Sequence, residues 1–258
     1  SLEIPVVVVS YDFVPGRASQ LSARKAAACA VAFEDSPLPN ATVTGAPVRQ
    51  DLLTLDRVAD RGAARARLGL PDDRFVLAVM GGSLGSGVLN AAIADYAGAH
   101  RDDTKLAIRQ VAGDRFVDGI EAVTPTGDDG IIHQAVGYER DMPAVYAAAD
   151  LLVGRGGAST VHEVAVTGVP AILIPWAGAA DDHQTANVRW LSDVGAAVFL
   201  DEAQLATRNA LTDQIDRLRA DDAARAELAV ATHARGEIHR SGALAELIEQ
   251  VALASSGK

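Results

Sequence analysis

The sequence is poor in cysteine, in aromatic residues and in positive charge. Its 258 residues include a single cysteine, Cys29, so no disulfide can form within the chain, which is typical of a reducing compartment. Lys and Arg number 23 against 34 Asp and Glu, and this net charge of −11 argues against binding to nucleic-acid phosphates. The apolar run at 4–9 is far too short to cross a bilayer. The composition predicts a globular protein with no nucleic-acid partner and with the cytoplasm as its default compartment.

Short apolar runs alternate with helical segments from about residue 75 onward. Strands are predicted at 75–80, 105–112, 131–137, 151–153, 171–175 and 197–200. Helices are predicted at 88–98, 114–122, 142–149, 159–167 and 183–194. Alternation of this kind builds βαβ units on a parallel sheet with helices on both faces. The sequence therefore predicts an α/β fold with a doubly wound, Rossmann-like sheet.

The first fifty residues have a different character. A β-branched run at 5–9 is typical of a strand that is buried on both faces, yet nothing leads into it. A helix is predicted at 18–28, a short strand at 41–44 and a charged helix at 52–68. We expect the chain to begin inside a larger protein, with a hinge at 45–51 that separates residues 1–50 from residues 51–258.

A glycine-rich loop, 81–86, follows the predicted strand at 75–80. Glycines let a backbone approach a ligand closely, and the helix N-terminus behind the loop offers free N–H groups to a phosphate. The loop matches neither a P-loop nor a full dinucleotide fingerprint. It is either a phosphate cradle or a tight turn in which Ser83 caps the helix.

A second strand–turn–helix segment spans residues 154–163. Thr160 and Glu163 have the spacing of a capping box, and spacing alone favours that structural role for Glu163. The alternative is a carboxylate that accepts hydrogen bonds from a ribose diol one turn above an anion site. Arg155 could pair with a phosphate or with a surface carboxylate.

A third polar segment opens the predicted helix at 183–194. Asp181 or Asp182 can cap that helix, and Gln184 and Asn187 share a face near its N-terminus. Their amides suit sugar hydroxyls, although an ordinary polar first turn has the same pattern. His183 is a weak candidate for a general base. The other histidines are scattered, and no Cys/His cluster has zinc spacing, so no metal site is predicted.

Taken together and in order, these segments resemble the MurG family of bacterial UDP-N-acetylglucosamine transferases. The resemblance covers residues 4–200 and, weakly, the C-terminal helices. It implies a GT-B architecture, in which two doubly wound domains face each other across a cleft. Residues 51–258 would form the donor-binding domain, and residues 1–50 would be the last part of the acceptor-binding domain. The matching segments are 14–16, 45–49, 81–85, 137–142, 146–150, 155–163, 168–171, 174–175 and 182–187.

The resemblance also implies roles for single positions. Ser83 and Arg49 would contact the donor diphosphate, and the backbone at Tyr138 and Glu139 would read the uracil edge. Glu163 would bind the ribose diol, which reverses the interpretation from spacing. The remaining implied positions are Gly156, Gly157, Ala158, Ser159 and Thr160 around the phosphates, and Gln184, with His183, Asn187 and Asp12, near the sugar.

The implied reaction is an inverting transfer of N-acetylglucosamine from its UDP donor to a lipid-diphosphate-linked muramoyl-peptide, which turns lipid I into lipid II. The family needs no resident cofactor or metal, and it works on the inner face of the cell membrane as a peripheral protein. Its general base is expected from the acceptor domain.

Three departures from the family pattern leave alternatives open. Asp12 replaces an asparagine, Gly156 replaces Ser or Ala, and Glu139 is a polar residue in the uracil loop. The chain could therefore be a paralogue of actinobacterial type with another acceptor, or a donor-binding half that is inactive alone. An epimerase of the same fold is a further alternative. The sequence argues against it, because it lacks the set of acid–base side chains that an epimerase would need around the sugar.

Overall fold

The computed structural model of the protein describes residues 4–127, 129–207 and 209–256. The predicted segments 1–50 and 51–258 therefore include positions outside the described residues, namely 1–3, 128, 208 and 257–258. The strands are β1 (Val7–Ser10), β2 (Ala28–Val31), β3 (Ala41–Val43), β4 (Phe75–Met80), β5 (Leu106–Val111), β6 (Ile132–Val136), β7 (Leu151–Arg155), β8 (Ala171–Ile174) and β9 (Val198–Phe199). The helices are α1 (Arg17–Ala23), α2 (Gln50–Leu53), α3 (Arg57–Leu68), α4 (Gly87–Ala99), α5 (Met142–Ala148), α6 (Ala158–Thr167), α7 (His183–Ser192), α8 (Ala210–Ala220), α9 (Asp222–Arg235), α10 (Glu237–Arg240) and α11 (Ala243–Ser256).

The larger sheet has six parallel strands in the order β6-β5-β4-β7-β8-β9. The chain first builds outward from β4 to β6 and then crosses back to add β7 beside β4. This is the strand order of a doubly wound sheet, and the predicted α/β fold is confirmed. In such sheets the loops that follow the two central strands diverge and leave a crevice for a ligand.

Both faces of the six-stranded sheet are buried. Along β4, Leu77 and Val79 point into one apolar layer together with α4 and α8, while Ala78 and Met80 point into the other together with α6 and α7. The side chains of a strand alternate between faces, so a continuous apolar run is what a strand covered on both sides requires. The near-continuous hydrophobicity of 75–80 therefore follows from its central position.

A second, smaller sheet is made by β1, β2 and β3, which pair in parallel. Helix α11 returns from the C-terminal part of the chain to contact β2. Phe33, which follows β2, packs with Trp190 of α7 at a ring-centroid distance of 5.4 Å. The two sheets are thus joined both by the connection at 44–49 and by this aromatic contact.

Three helix predictions differ from the structure. The helix predicted at 18–28 ends at Ala23, and residue 28 already belongs to β2. The segment 52–68 is divided into α2 and α3, because the Asp56 side chain accepts hydrogen bonds from the N–H groups of Val58 and Ala59 and starts a new helix there. The helix predicted at 114–122 is wrong, since that segment contains only a 3-10 turn, Val117–Gly119. The Phe116 ring lies against the glycine loop after β4, so a tertiary contact holds this connection in place of a helix. None of the helices in the described ranges is both long and apolar enough to span a membrane.

Candidate functional site

The candidate site lies where β4 and β7 end, at the point where the strand order reverses. The loop 81–86 leads from β4 into α4, and the turn at Gly156 and Gly157 leads from β7 into α6. Both helices direct their N-terminal ends at the same crevice because parallel neighbouring strands end on the same edge. Helix N-termini carry unpaired N–H groups and a partial positive charge, so this edge favours an anion such as a phosphate.

The loop after β4 is shaped by a close backbone contact. Gly85 has φ +74°, and a Cβ atom there would lie 2.3 Å from the Ala112 carbonyl oxygen, so only glycine fits. Ser86 caps α4, with its hydroxyl accepting from the Leu89 N–H at 3.3 Å. Ser83 is exposed and is not the cap, which corrects the structural alternative for that residue. Its predicted contact with a phosphate stays a prediction.

Helix α6 begins earlier than the spacing suggested. Its N-cap is Gly157, which has no side chain to satisfy the first-turn N–H groups of Ala158, Ser159 and Thr160. The capping box of Thr160 and Glu163 is therefore wrong, because both residues lie inside the helix. The first turn of α6 is left open to a ligand or to solvent.

The departure at Gly156 has a structural reason. A Cβ atom at this position would lie 2.6 Å from Val188 Cγ2 and 2.8 Å from the Gln184 carbonyl oxygen. Helix α7 therefore packs directly against the turn between β7 and α6. The close packing brings two of the predicted segments, 154–163 and 182–187, to one place.

Arg155 has a different partner from either one expected. It is buried, and its guanidinium donates to the carboxylate of Glu202 and to the hydroxyl of Ser86. Glu202 in turn accepts from the Ala177 N–H at 2.9 Å. The side chains of this ion pair are only 7% and 15% exposed, so Arg155 joins the loops after β4, β7 and β8 and is occupied by a carboxylate of the protein itself.

Glu163 points toward a small polar cavity and is held by a tyrosine. The Tyr146 hydroxyl of α5 donates to Glu163 Oε2 at 2.8 Å. Burial raises the pKa of Glu163, against the hydrogen bond from Tyr146 and the charge of Arg49, which lower it. The cavity has a volume of about 150 Å³, and Arg49, Ser159 and Glu163, three of the predicted site residues, line it together.

Asn187 connects α7 to the first part of the chain. Its side-chain oxygen accepts from the Phe13 N–H at 2.8 Å, and its amide nitrogen donates to Asp12 at 3.1 Å and to the Gly156 carbonyl at 3.2 Å. The structure thus brings the predicted residues Asp12, Gly156 and Asn187 into direct contact. These bonds use the Asn187 amide within the protein, and its predicted place near the sugar is not tested by them.

The start of α7 has an unusual backbone. Asp181 and Asp182 have φ of 52° and 51°, a conformation that costs non-glycine residues free energy and is often found at functional sites. Neither side chain caps the helix within the described residues, which corrects that expectation. Gln184 Oε1 accepts from the Trp176 N–H at 3.0 Å, and His183 Nδ1 lies 2.6 Å from the Ala180 carbonyl. These contacts fix the loop that follows β8.

The loop 137–141 connects β6 to α5 at the same edge of the sheet. Tyr138 is 70% exposed, whereas the Glu139 side chain is directed inward and pairs with Arg109 of β5. Neither residue lines the cavity beside Glu163. Arg109 was not singled out from the sequence, because a basic residue within an apolar strand gives no indication of its partner thirty residues later.

A buried pair of histidines was not predicted from the sequence. The Nδ1 atom of His162, in α6, lies 3.2 Å from the Nε2 atom of His239, in α10. The Ala46 N–H donates to His239 Nδ1, so the proton of the His239 ring is on Nε2. This Nε2–H donates to His162 Nδ1. The Nε2–H of His162 in turn donates to the Tyr11 carbonyl. This chain of hydrogen bonds joins the first fifty residues to the helices of the larger sheet. A separation of 77 residues leaves no sequence signal for it.

Among the described residues, no group of three or more His, Cys, Asp or Glu side chains is arranged to hold a metal ion. The arrangement as a whole suits an elongated anionic ligand. It offers two helix N-termini, a nearby arginine and the partly buried carboxylate of Glu163, which could accept hydrogen bonds from a diol.

Comparison with known proteins gives a consistent picture. The profile of the glycosyltransferase family 28 C-terminal domain matches residues 76–243. The UDP-N-acetylglucosamine–N-acetylmuramyl-(pentapeptide) pyrophosphoryl-undecaprenol N-acetylglucosamine transferase of Salinibacter ruber is 39% identical over 205 residues, covering 78% of this chain and 54% of that protein. The enzyme of the same name from Clavibacter michiganensis is 34% identical over 252 residues, covering 97% of this chain and 66% of that protein.

A solved structure agrees with these relatives. The crystal structure of Acinetobacter baumannii MurG has a TM-score of 0.70 and 25% identity, and the match covers 97% of this chain and 67% of that one. The chain spans between about half and two thirds of the length of the curated relatives it matches.

Proposed function

This chain belongs to glycosyltransferase family 28, and on that premise we propose that it binds a UDP-sugar and takes part in the transfer of the sugar to a lipid-linked acceptor. The proposed donor is UDP-N-acetylglucosamine, and the proposed acceptor is the lipid-diphosphate-linked muramoyl-peptide named for its relatives. The product would be lipid II, made at the cytoplasmic face of the cell membrane. Residues 51–258 are proposed as the donor-binding domain and residues 1–50 as part of the acceptor-binding domain.

The two helix N-termini at the reversal of the strand order support the phosphate positions. In the proposal, the loop at Ser83 and the first turn of α6, from Gly156 to Thr160, surround the diphosphate. Arg49 adds positive charge from the connection at 44–49. The UDP-sugar is a substrate, and the proposal includes no resident cofactor.

Glu163 is proposed to bind the ribose diol, and Gln184, His183 and Asn187 to lie around the sugar with Asp12. A carboxylate can accept two hydrogen bonds from neighbouring hydroxyls, and the cavity beside Glu163 supports this role. The backbone at Tyr138 and Glu139 is proposed to contact the base.

The proposed chemistry is a single displacement with inversion. A lone pair of the acceptor hydroxyl forms the new bond to the anomeric carbon, and the bond from that carbon to the diphosphate oxygen breaks. The departing UDP keeps the electron pair, so negative charge grows on the diphosphate in the transition state. Preorganised N–H groups at α4 and α6 stabilise that charge without having to reorient. The acceptor proton passes to a base that we do not assign within this chain, and His183 is a weak candidate.

The single observation that carries the proposal is the group formed by Arg49, Ser159 and Glu163 around one cavity at the N-terminus of α6. These residues come from the connection at 44–49 and from α6, far apart in the sequence. Together they place a cation, unpaired N–H groups and a carboxylate beside one cavity.

The test is calorimetric titration of the chain with UDP, UDP-N-acetylglucosamine and UDP-glucose. We expect the N-acetylglucosamine donor to bind most tightly and Glu163→Ala to weaken all three ligands by about ten-fold or more, as expected for hydrogen bonds to a charged group. Glu227→Ala, which removes an exposed carboxylate of α9, is the matched control and should leave binding unchanged.

The outcomes separate the alternatives. Equal affinity for UDP and both sugars would retain the nucleotide site and overturn the assignment of the donor sugar. If none of the three ligands binds, the proposed function is wrong. Transfer to a lipid-linked acceptor is then measured with radiolabelled donor, and tight donor binding without transfer would favour a donor-binding half that needs a second polypeptide.

A further inference from the structure

The base-side loop, residues 137–141, is held from beneath by an ion pair between Arg109 and Glu139. Glu139 accepts from Arg109 Nε at 3.2 Å and also from Arg109 Nη2 through the same oxygen. Its other oxygen accepts from the Asp141 N–H at 2.9 Å. Both carboxylate oxygens are therefore used, and the side chains of Arg109 and Glu139 are only 15% and 9% exposed.

Arg109 is itself fixed at a second point. Its Nη1 donates to Gln134 Oε1 at 3.1 Å, and Gln134 Nε2 donates to the Gly69 carbonyl at 3.3 Å. The guanidinium thus lies between β5, β6 and the end of α3. An arginine with three nitrogens engaged in a partly buried setting is a rigid anchor, because its planar fork allows few alternative geometries.

The contacts continue from the loop into α5. Asp141 caps that helix, with Oδ1 accepting from the Ala144 N–H at 3.1 Å, and its Oδ2 accepts from Arg67 Nε at 2.9 Å. Helix α5 carries Tyr146, which donates to Glu163. The conformation of the base-side loop is therefore coupled to the carboxylate that we propose for the ribose.

We propose that Arg109 and Glu139 are a positioning pair, which fixes the backbone of the base-side loop and so determines how strongly the site selects uracil over other bases. The inference rests on the proposed function, since it assigns the base of the UDP donor to this loop. Neither side chain touches the ligand in this proposal. Glu139 faces Arg109 beneath the loop, while the exposed Tyr138 and the backbone around it remain available to the base.

The charge balance of the pair is consistent with this role. Burial by itself would raise the pKa of Glu139. The hydrogen bond and charge of Arg109, together with hydrogen bonds from the backbone at Asp141 and Arg140, outweigh burial and lower the pKa below its usual value. The carboxylate is therefore ionised at neutral pH. Loss of Arg109 would leave a half-desolvated carboxylate without its cation, and the loop would gain freedom to turn Glu139 outward.

The experiment compares the dissociation constants of UDP and CDP, measured by calorimetry, for the full chain and its variants. Arg109→Met is expected to weaken UDP by about ten-fold to hundred-fold while CDP changes little, so the preference for UDP falls. Arg109→Lys keeps the charge but loses the two-nitrogen contact, and it should give an intermediate loss. The affinity for inorganic pyrophosphate, measured by competition with UDP, should be unchanged in both variants because the phosphate loops are not involved.

A matched control lies at the other end of the same strand. Lys105, next to β5, pairs with Asp73 at 2.9 Å, and both side chains are exposed. Lys105→Met removes an ion pair at a distance from the base-side loop and should leave the ratio of UDP to CDP affinity unchanged. Thermal denaturation of each variant shows whether it is folded at the titration temperature.

The result that overturns the inference is an unchanged ratio of UDP to CDP affinity in Arg109→Met when that variant is folded. An equal loss of UDP, CDP and pyrophosphate affinity would also overturn it, since a purely structural role predicts such a uniform loss. If the unsubstituted chain binds no UDP, the proposed function itself fails, and this outcome is distinct from both.

Discussion

The buried histidine pair predicts how the stability of the fold depends on pH. Burial lowers the pKa of His162 to about 4, although the hydrogen bond to Tyr11 and the charge of Asp12 act to raise it. Burial also lowers the pKa of His239 to about 3, and the neighbouring His162 and Arg240 lower it further. Both rings are neutral in the folded protein, whereas in the unfolded chain they take up protons near the ordinary pKa of about 6.5.

The surroundings of the pair explain why protonation is unfavourable. The His162 ring lies 5.3 Å from the Phe33 ring, 5.5 Å from the Trp190 ring and 4.7 Å from the His239 ring. A charge placed there would be desolvated among aromatic side chains. A second proton on His162 would also point an N–H at the N–H of His239 and break the chain of hydrogen bonds.

The magnitude follows from the pKa difference. Between the folded and the unfolded pKa, the unfolded ring is protonated and the folded ring is not. In that range each histidine lowers the free energy of unfolding by about 1.4 kcal/mol for every unit by which the pH falls. From pH 6.5 down to pH 4.5 the pair therefore removes about 5 kcal/mol, which is a large part of the ~5–15 kcal/mol typical of a domain. The stability is fully present above pH 6.5 and is lost as the pH falls toward the folded pKa values.

The assay is urea denaturation at pH 7.5, 6.5, 5.5 and 4.5. The double variant His162→Gln with His239→Gln retains amide donors and acceptors but cannot titrate at these two positions. Below pH 6.5 its free energy of unfolding should therefore fall less steeply than that of the unsubstituted protein, and the two slopes should differ by about 2–3 kcal/mol per pH unit. The control His233→Gln removes an exposed histidine and should have the slope of the unsubstituted protein. Equal slopes for the double variant and the unsubstituted protein would refute the reasoning.

Three further changes test the packing around the site. Gly156→Ala should lower the free energy of unfolding, measured in urea, by about 1–3 kcal/mol, because the added Cβ would meet α7. Gly157→Ala should cost far less, because an added Cβ there has no atom within 4 Å, and equal costs for the two variants would contradict the assigned contact. Tyr146→Phe removes the hydrogen-bond donor to Glu163, so the pKa of that carboxyl should rise further and UDP affinity should weaken at low pH. A pH profile of UDP binding identical to that of the unsubstituted protein would contradict this role of Tyr146. Asn187→Ala breaks three hydrogen bonds and should lower the free energy of unfolding by about 2–3 kcal/mol, and a smaller change in urea would show that these bonds are replaced by water.

The larger sheet could be predicted from the sequence because its signal is local. Strands buried on both faces must be continuously apolar, and the connections between them must be helical, so the alternation of 75–200 indicates the fold directly. The glycine loops were recognised for the same reason, since each lies between a strand and a helix. The failed helix at 114–122 shows the limit of this approach, because Phe116 is held by the distant loop after β4.

The candidate site was predicted only in part. Residue spacing favoured a capping box for Thr160 and Glu163, because spacing cannot tell that α6 already begins at Ala158. The resemblance to a known family placed Glu163 differently, and the structure directs this residue to Tyr146 and a cavity. The roles implied for the other site residues stay predictions, although several of those residues do lie together.

What the sequence by itself determined is the order of strands and helices and the loops at which a ligand could bind, because both depend on patterns within a dozen neighbouring residues. The partners of the buried polar side chains were decided only by the tertiary structure. Arg109 with Glu139, Arg155 with Glu202 and His162 with His239 are separated by 30, 47 and 77 residues. A buried charge or imidazole must find a partner somewhere, but which one it finds depends on the packing of whole elements, and no local pattern contains that information.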